Sequence, residues 1–409
     1  MPRRRQFGSV RRLPSGRYQA TYWHDGARHV APHTFNAKAD ANTYLATVET
    51  DLHRDEWVNP SRRRTPFRAS AAEWRNTTVH LKPKTQAGYL SVLNRHVLPA
   101  FGDVEIGAID PPLVWRWIAD MQASGLGPDV IRVSRNVLRL VLRSAVGAGT
   151  LRANPCDGLR LPRPPHREMR FLDHDQVDSL AEAISHPVLR RPGNGAAPWW
   201  RSDLPEYGLL IRLAAYGGLR AGEIGALRVR RVDLGAGSVE VVESVAEVGG
   251  RLEIGSTKTY RPRVVPLPRS VVDQLAEHMQ GMAEDAFVFT SPTGGPLRHS
   301  TFYKRHFRPA VAQAELPADL RFHDLRHTYA GFLIAEGAHP RMMMERLGHS
   351  SIQVTLGTYG HLLPSLGEQL TDALDERLRA AVGARVEAVS GEASRTNRAH
   401  NQASMNVTN

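Results

Sequence analysis

Six residues in the second half of the chain combine positive charge with one phenol: Arg220, Lys258, His323, Arg326, His349 and Tyr359. They stand in the short motifs GLRAGE, TKT, HDLRHT, LGHS and TLGTY. The set has neither the paired carboxylates of a glycosidase nor a metal site, and it has no Gly-rich nucleotide-binding loop. Positive donors around a phenol suit one task, which is to hold a phosphodiester while a tyrosine attacks its phosphorus.

The chemistry of that task assigns a role to each residue type. A phosphodiester gains negative charge in its five-coordinate transition state, and preorganised donors stabilise that charge. Arg220 and Arg326 would clamp the phosphate, because a planar guanidinium binds two oxygens and stays charged. Tyr359 would attack, although a phenol with an ordinary pKa of about 10 is a weak nucleophile until its proton is removed. Lys258 would protonate the leaving 5′-oxygen.

The histidines and one carboxylate complete the candidate site. His323 and His349 would hold the phosphate or carry the proton of the nucleophile. Glu223 lies three residues after Arg220, on the same face of a helix, and is expected to orient local structure. His327 is interpreted as a structural residue.

A purely structural interpretation exists for each residue taken alone. Arg220 would then be a surface arginine, His323 a core histidine and Tyr359 a packed aromatic, and single short motifs often mislead. The presence of all six types in order, each in its own motif, favours a functional site.

Local patterns predict the elements that position these residues. An apolar helix over residues 207–215 is broken by Gly217 and Gly218 just before Arg220. Strands are predicted over residues 238–245, 251–256 and 263–266, with a turn at residues 249–250, so that Lys258 lies between the second and third strands of a small sheet.

Two further helices are predicted to carry the remaining site residues. Leu325, Tyr329, Phe332 and Leu333 mark one buried face of the first helix, and His323 with Arg326 are expected on another. Pro340 starts the next helix and Gly348 ends it, which places His349 just after the end.

The motif set resembles that of the tyrosine recombinases, and more narrowly that of phage-type or integrative-element integrases. The match extends from Phe171 to Leu378. The resemblance implies cleavage of one DNA strand to a 3′-phosphotyrosine and a free 5′-hydroxyl, followed by rejoining to a partner strand, in integration and excision of a mobile element. It implies no cofactor, ATP or metal, because the phosphotyrosine keeps the bond energy.

The expected fold is multi-domain and mainly α with small antiparallel β-sheets, with a helical catalytic domain that includes a β-hairpin sheet. The predicted parts follow shifts in composition and pattern. They are a sheet-plus-helix arm-type DNA-binding domain (1–60), a basic linker (61–66), a helical core-DNA-binding domain (67–158), a Pro-rich linker (159–169), the catalytic domain (170–386) and a disordered tail (387–409).

Local signals within these parts give more detailed expectations. The first domain should contain a strand over residues 16–23, an Asp25-Gly26 hairpin turn and a helix over residues 37–56 capped by Asn36. The second should contain helices over residues 69–76, 84–98, 111–124 and 128–148. Residues 187–205 are rich in Gly, Pro and Trp and are interpreted as a surface insertion.

Composition agrees with a nucleic-acid partner without proving one. The chain has 53 Lys and Arg against 41 Asp and Glu, a formal net charge of +12, which favours binding to phosphate. The single cysteine, Cys156, excludes an internal disulfide and fits a reducing cytoplasm. No stretch approaches the ~20 apolar residues of a membrane span. We expect a cytoplasmic, nucleoid-associated protein.

The resemblance also implies partners. These are double-stranded DNA at core and arm attachment sites and further copies of the chain in a homotetramer on DNA. A DNA-bending host protein and an excisionase are further partners that it allows. Leucines recur from Leu362 to Leu378. From Leu366 onward they fall four residues apart, which places them on one helical stripe that packs either in its own domain or on a neighbouring protomer.

Two other function classes remain open at this point. A type IB topoisomerase-like nicking-closing enzyme would share the chemistry but would need no arm-binding domain. A DNA-binding regulator on a decayed recombinase scaffold would not need the complete set of six residues.

Overall fold

The structure, a computed structural model, describes residues 7–54, 57–161, 168–186, 203–257, 262–291, 294–362 and 374–380. The chain divides into two units. One comprises Met1–Glu168 with Ala246–Glu253, and the other comprises Met169–Val245 with Ile254–Asn409. Residues 162–167 of the predicted linker (159–169), residues 187–202 of the insertion and all residues from 381, which include the predicted tail (387–409), lie outside the described residues.

The first unit begins with a small sheet. Strands β1 (Ser9–Arg12), β2 (Tyr18–His24) and β3 (Ala27–Val30) pair antiparallel in that order, with Tyr22 opposite His29. Asp25 and Gly26 both have positive φ, as the predicted two-residue hairpin turn requires. The sheet and the helix that follows it, α1 (Lys38–His53), bury their own apolar cluster.

The start of α1 differs from the prediction. The cap position is Ala37, with no side-chain cap, so the assignment of Asn36 as the cap was wrong. Position 36 lies one residue too early to offer its side chain to the unpaired N–H groups of the first turn.

The predicted basic linker is structured. A short helix, α2 (Pro60–Arg63), begins after Asn59, whose side chain accepts from the Ser61 N–H. The guanidiniums of the three consecutive arginines donate to backbone carbonyls: Arg62 to Ala148, Arg63 to Gly107 and Arg64 to Pro32.

The part of the first unit from Phe67 to Gly147 is helical, as predicted. Its helices are α3 (Phe67–Asn76), α4 (Pro83–Val92), α5 (Leu98–Phe101), α6 (Pro111–Ala123) and α7 (Pro128–Gly147). A π-turn over Leu93–Val97 joins α4 to α5, where one continuous helix was expected. These helices enclose a second apolar core, which is distinct from that of the sheet.

The second unit has a helical core with small sheets. Its helices are α8 (His174–Ser185), α9 (Pro205–Gly217), α10 (Ala221–Gly225), α11 (Arg269–His278), α12 (His299–Phe302), α13 (Arg308–Gln313), α14 (Asp324–Ala335), α15 (Pro340–Leu347) and α16 (Ile352–Tyr359). Helix α9 is buried along most of its length and packs against α8, α11 and α14. It therefore forms the centre from which the site residues are held.

The sheets after α10 correct one prediction. The expected strand over 238–245 is two strands, β5 (Ser238–Val241) and β6 (Glu243–Val248), which lie in different sheets. β5 lies between β4 (Val232–Asp233) and β8 (Arg263–Pro266), whereas β6 pairs with β7 (Arg251–Ser256). The segment that includes Lys258 therefore joins two separate sheets rather than two strands of one.

Candidate active site

Five of the six predicted site residues lie in the second unit and are described. Lys258 lies outside the described residues, between the end of β7 and the start of β8. The other five come from the start of α10, the start of α14, the loop after α15 and the end of α16.

Arg326 is the most deeply buried cation among the described residues of the site. It is only 2% exposed, although the sequence pattern placed it on a face of α14 away from the buried one. Its guanidinium donates to the carbonyl of Gly218 at 2.7 Å and to the carbonyl of Leu347. Those carbonyls end α9 and α15 and lack partners within their own helices, so an arginine that pairs with them can be buried.

Burial and the positive charge of Arg220 lower the pKa of Arg326 to about 9. At neutral pH the guanidinium therefore keeps its positive charge although it is buried away from water. A desolvated, fixed cation interacts more strongly with a phosphate than a hydrated surface arginine does.

Two glycines allow the helix ends to meet Arg326 and Arg220. Gly218 and Gly348 close α9 and α15 in the left-handed conformation, with φ of 62° and 64°. A Cβ on Gly218 would lie 2.3 Å from Cδ1 of Tyr329. Both positions therefore need glycine for conformation, and Gly218 also for space.

Arg220 is held by a buried carboxylate. Oε1 of Glu223 accepts from the Arg220 guanidinium at 2.8 Å, and Oε2 accepts from the Arg220 backbone N–H at 2.8 Å. A second arginine, Arg263 of β8, donates to both oxygens, at 3.0 and 2.6 Å. Glu223 thus orients local structure, as predicted.

The charge of Glu223 is maintained despite its burial. Glu223 is only 3% exposed, and desolvation by burial would raise its pKa. Hydrogen bonds and charge from Arg263, and then the charge of Arg220, outweigh that effect and lower the pKa to about 2. The carboxylate is ionised, and it fixes two guanidiniums beside the end of α15, where Arg220 also reaches the carbonyl of Gly348 at 3.4 Å.

His349 and His323 border this cluster of cations. Nδ1 of His349 is 2.9 Å from the hydroxyl of buried Thr355. Desolvation, followed by the charges of Arg326 and Arg220, lowers the pKa of His349 to about 4. Desolvation and the neighbouring His327 also lower the pKa of His323, although this residue is exposed at the surface. Both imidazoles are therefore neutral at pH 7 and suited to donate an N–H to a phosphate oxygen.

Tyr359 is held inside the unit rather than displayed on its surface. It is 2% exposed and packs in a small apolar cluster with Tyr329, Leu333, Met343 and Leu347. Burial raises the pKa of the phenol, and the charges of Arg326 and Arg220 act in the opposite direction.

The phenol has a hydrogen-bond partner that the sequence motifs did not identify. The Tyr359 hydroxyl lies 2.8 Å from Nδ1 of His327, a residue interpreted as structural from sequence. The ring of His349 lies nearly parallel to that of Tyr359, with centroids 6.3 Å apart. Arg263 was also missed as a site residue, because it comes from a strand 40 positions beyond its partner Glu223.

Two kinds of feature are absent from the described residues. No group of three or more His, Cys, Asp or Glu side chains is arranged to hold a metal ion. In the same residues, no helix has the length and apolar character needed to cross a bilayer.

Three models of phage integrase domains match this chain. The Phage integrase family model matches residues 170–365, the N-terminal domain model residues 6–54 and the central domain model residues 67–161. The chain belongs to the phage integrase family of tyrosine recombinases. It is a site-specific DNA recombinase, an enzyme that exchanges DNA strands. The topoisomerase-like and regulator alternatives are not favoured.

Relatives of this recombinase are similar over most of their length. A putative prophage phiRv2 integrase of Mycobacterium tuberculosis is 29% identical over 368 residues, which is 86% of this chain and 91% of the relative.

Among solved structures, the Tn1549 transposon integrase in complex with transposon right end DNA is 19% identical, with a TM-score of 0.62 over 77% of this chain and all of that chain. A lambda integrase tetramer bound to a Holliday junction is 16% identical, with a TM-score of 0.53 over 84% of this chain and 95% of that chain. At these identities the two structures show a shared fold.

Proposed function

We propose that the site in the second unit performs strand cleavage and rejoining through a 3′-phosphotyrosine at Tyr359. The observation that carries this proposal is the convergence of two guanidiniums, neutral imidazoles and a phenol around the end of α15. Arg220 and Arg326 bind the nonbridging oxygens of the scissile phosphate, and their charge matches the charge that develops in the transition state.

The remaining roles follow from the protonation states. His323 and His349 are neutral, so each holds a phosphate oxygen as an N–H donor without adding charge to the cluster. Lys258, in a segment that joins two sheets, supplies the proton to the leaving 5′-oxygen. The phosphotyrosine is then attacked by the 5′-hydroxyl of the partner strand.

Removal of the attacking oxygen tests the nucleophile. Tyr359→Phe keeps the ring in its apolar cluster, so we expect DNA binding to survive and covalent adducts on a nicked suicide substrate to disappear. Arg326→Ala tests the proposed contact of this guanidinium with the phosphate, and we expect it to reduce cleavage about 100- to 1,000-fold. Adducts that persist in Tyr359→Phe would mean that another residue attacks.

The first unit is proposed to supply DNA contacts outside the reaction centre. The small sheet presents Arg11, Gln19, Trp23 and Arg28 on the face away from the buried Ala20 and Tyr22, and Trp23 is 68% exposed. Basic and aromatic side chains on an exposed sheet fit a DNA groove, which supports arm-site binding by residues 1–60. The helices of 67–158 are proposed to bind the core site.

Assembly and location remain part of the proposal. A lambda integrase is known as a tetramer bound to a Holliday junction, which supports a homotetramer of this chain on paired sites. Native mass measurement of complexes with one and two core sites tests it. A DNA-bending host protein, an excisionase and a nucleoid-associated location are the further expectations. Leu374 and Leu378 of the predicted stripe are exposed, while Leu363, Leu366 and Leu370 lie outside the described residues.

A further inference from the structure

The hydrogen bond between Tyr359 and His327 has a direction that can be assigned. A phenol only 2% exposed needs an acceptor for its O–H, and Nδ1 of His327 at 2.8 Å is its only hydrogen-bond partner among the described residues. If Nδ1 carried a hydrogen, it would face the O–H as a second donor and leave the phenolic hydrogen without an acceptor. The neutral tautomer with its hydrogen on Nε2 therefore satisfies both groups.

The groups around His327 favour a neutral imidazole that can accept a proton and release it again. Desolvation lowers the pKa of His327, the carboxylate of Asp324 acts in the opposite direction, and the guanidiniums of Arg321 and Arg326 add to the lowering. Two further titratable groups face the ring. They are His323, whose ring stands edge-on at a centroid distance of 5.0 Å, and Tyr359 itself.

The other two imidazoles are less suitable proton acceptors. Nδ1 of His349 is already engaged with the Thr355 hydroxyl. No hydrogen bond joins His323 or His349 to the phenol among the contacts of the described residues.

We propose that His327 is the general base of the reaction and takes the proton of Tyr359 as the phenolic oxygen attacks. The inference rests on the proposed role of Tyr359 as nucleophile. In cleavage the Oη–P bond forms, the Oη proton passes to Nδ1 of His327, the P–O5′ bond breaks and the leaving 5′-oxygen receives a proton from the acid. In rejoining, the 5′-hydroxyl returns its proton to the deprotonated acid as the O5′–P bond forms, the Oη–P bond breaks and His327 returns its proton to the phenolic oxygen.

This arrangement separates two tasks within the HDLRHT motif. Arg326 neutralises charge on phosphate, and its neighbour in sequence, His327, handles the proton of the nucleophile. The charges of Arg326 and Arg220 stabilise the phenolate character that develops as the proton leaves, since both favour the anionic form of Tyr359. Asp324 favours the imidazolium that results.

The test uses the full chain and a nicked suicide core-site substrate under single-turnover conditions. His327→Asn keeps an amide near the position of Nδ1 that can accept the phenolic hydrogen bond but cannot take the proton. We expect adduct formation near neutral pH to fall about 100- to 10,000-fold, with DNA binding and the melting temperature unchanged. In the variant the rate should rise about tenfold per pH unit, because only solvent then ionises the phenol, whereas the wild-type rate should depend less on pH.

Two controls identify the step that is lost. A substrate with a 5′-bridging phosphorothiolate needs little protonation of its leaving group, so it should not rescue His327→Asn. His306→Asn removes a partly buried imidazole that packs on Tyr207 outside the site, and it should leave the rate unchanged. His327→Gln gives a second comparison if the Asn variant unfolds.

The outcomes distinguish this inference from the proposed function. Adducts formed by Tyr359→Phe would remove the nucleophile assignment, whatever His327 does. If Tyr359→Phe forms no adducts but His327→Asn cleaves at the wild-type rate over the whole pH range, the role of His327 is refuted and the role of Tyr359 stands. Rescue of His327→Asn by the phosphorothiolate substrate would assign His327 to the leaving group instead.

Discussion

The carboxylate of Glu223 sits between two guanidiniums, those of Arg220 and Arg263, with a side chain only 1% exposed. The side chains of Glu223 and Arg263 are buried and that of Arg220 is partly exposed, so the buried charges depend on their partners remaining in place. A buried ion pair contributes modestly compared with an apolar replacement, but removing one member leaves an uncompensated charge and costs about 3 to 5 kcal/mol. At the residue scale, Glu223 is therefore a stability determinant on which the phosphate clamp depends.

Glu223→Gln should destabilise the second unit and lower cleavage. The pKa of Glu223 is about 2 when folded, below its ordinary value of 4.5, so its contribution is full above about pH 4.5 and is lost as pH falls towards 2. That contribution is on the order of 3 kcal/mol at neutral pH. Urea unfolding of both proteins between pH 3 and 7 measures it, and the difference in unfolding free energy should shrink as the pH is lowered. Asp273→Asn, which breaks an exposed pair with Arg269, is the control and should change little. A constant difference across this range would contradict the assignment.

The roles that the sequence assigns to the site residues stay predictions, and the sequence indicated little about the contacts between those residues. Short motifs identify residues whose local context is distinctive, such as Arg220 or His349. The bond from His327 to Tyr359 spans 32 positions, and the pairing of Arg263 with Glu223 depends on how β8 packs beside α10. The periodicity of residues within one helix or strand does not indicate such contacts, because they form only when separate elements pack together.

At the scale of elements, helix ends rather than helix faces build the proposed phosphate site. The carbonyls of Gly218, Leu347 and Gly348 accept from Arg326 and Arg220. The sequence pattern assigned Arg326 to a face of α14 away from the core, since charged residues are rarely buried. It could not show that two helix C-termini provide carbonyls for that guanidinium. The stop signals at Gly218 and Gly348 were nevertheless predicted correctly.

Gly218→Ala should disturb both stability and cleavage. The substitution places a Cβ 2.3 Å from the Tyr329 ring and requires a left-handed alanine, so the Gly218 carbonyl must move away from Arg326. Gly281→Ala is matched for conformation, with φ of 75° and open space around a Cβ, and should cost only about 1 to 2 kcal/mol. Denaturant unfolding and adduct formation measure the two effects. Equal losses of stability in both variants, with cleavage retained in Gly218→Ala, would show that contact with Tyr329 is unimportant.

At the scale of the whole molecule, three separate groups of elements have cores of their own. The sheet with α1, the helices from α3 to α7 and the helical second unit each bury a distinct apolar cluster. The division into domains at residues 60–66 and 159–169, which rests on shifts in sequence pattern, stays a prediction. The sequence did not predict that Arg62, Arg63 and Arg64 donate to carbonyls within the first unit, because a basic run suggests a solvated linker.

These contacts decide where the N-terminal sheet can be removed. A chain that begins at Val58 keeps α2 and the bonds from Arg62 to Ala148 and from Arg63 to Gly107. We expect it to cleave the core site at the wild-type rate and to lose affinity for arm-site DNA. A chain that begins at Thr65 also loses those bonds and should melt at a lower temperature.

Point variants on the sheet test whether its exposed face binds the arm DNA. If Arg28 touches a phosphate, Arg28→Ala should lower the slope of log affinity against log salt by about 0.9, because one fewer counterion is released. Trp23→Ala should weaken binding with the slope unchanged, since an aromatic contact releases no ion. Arg54→Ala, at the end of α1, is the matched charge control and should leave arm-site binding and its slope unaltered. The same loss of slope in Arg54→Ala as in Arg28→Ala would indicate diffuse attraction by net charge, and arm recognition would then have to be sought outside this sheet.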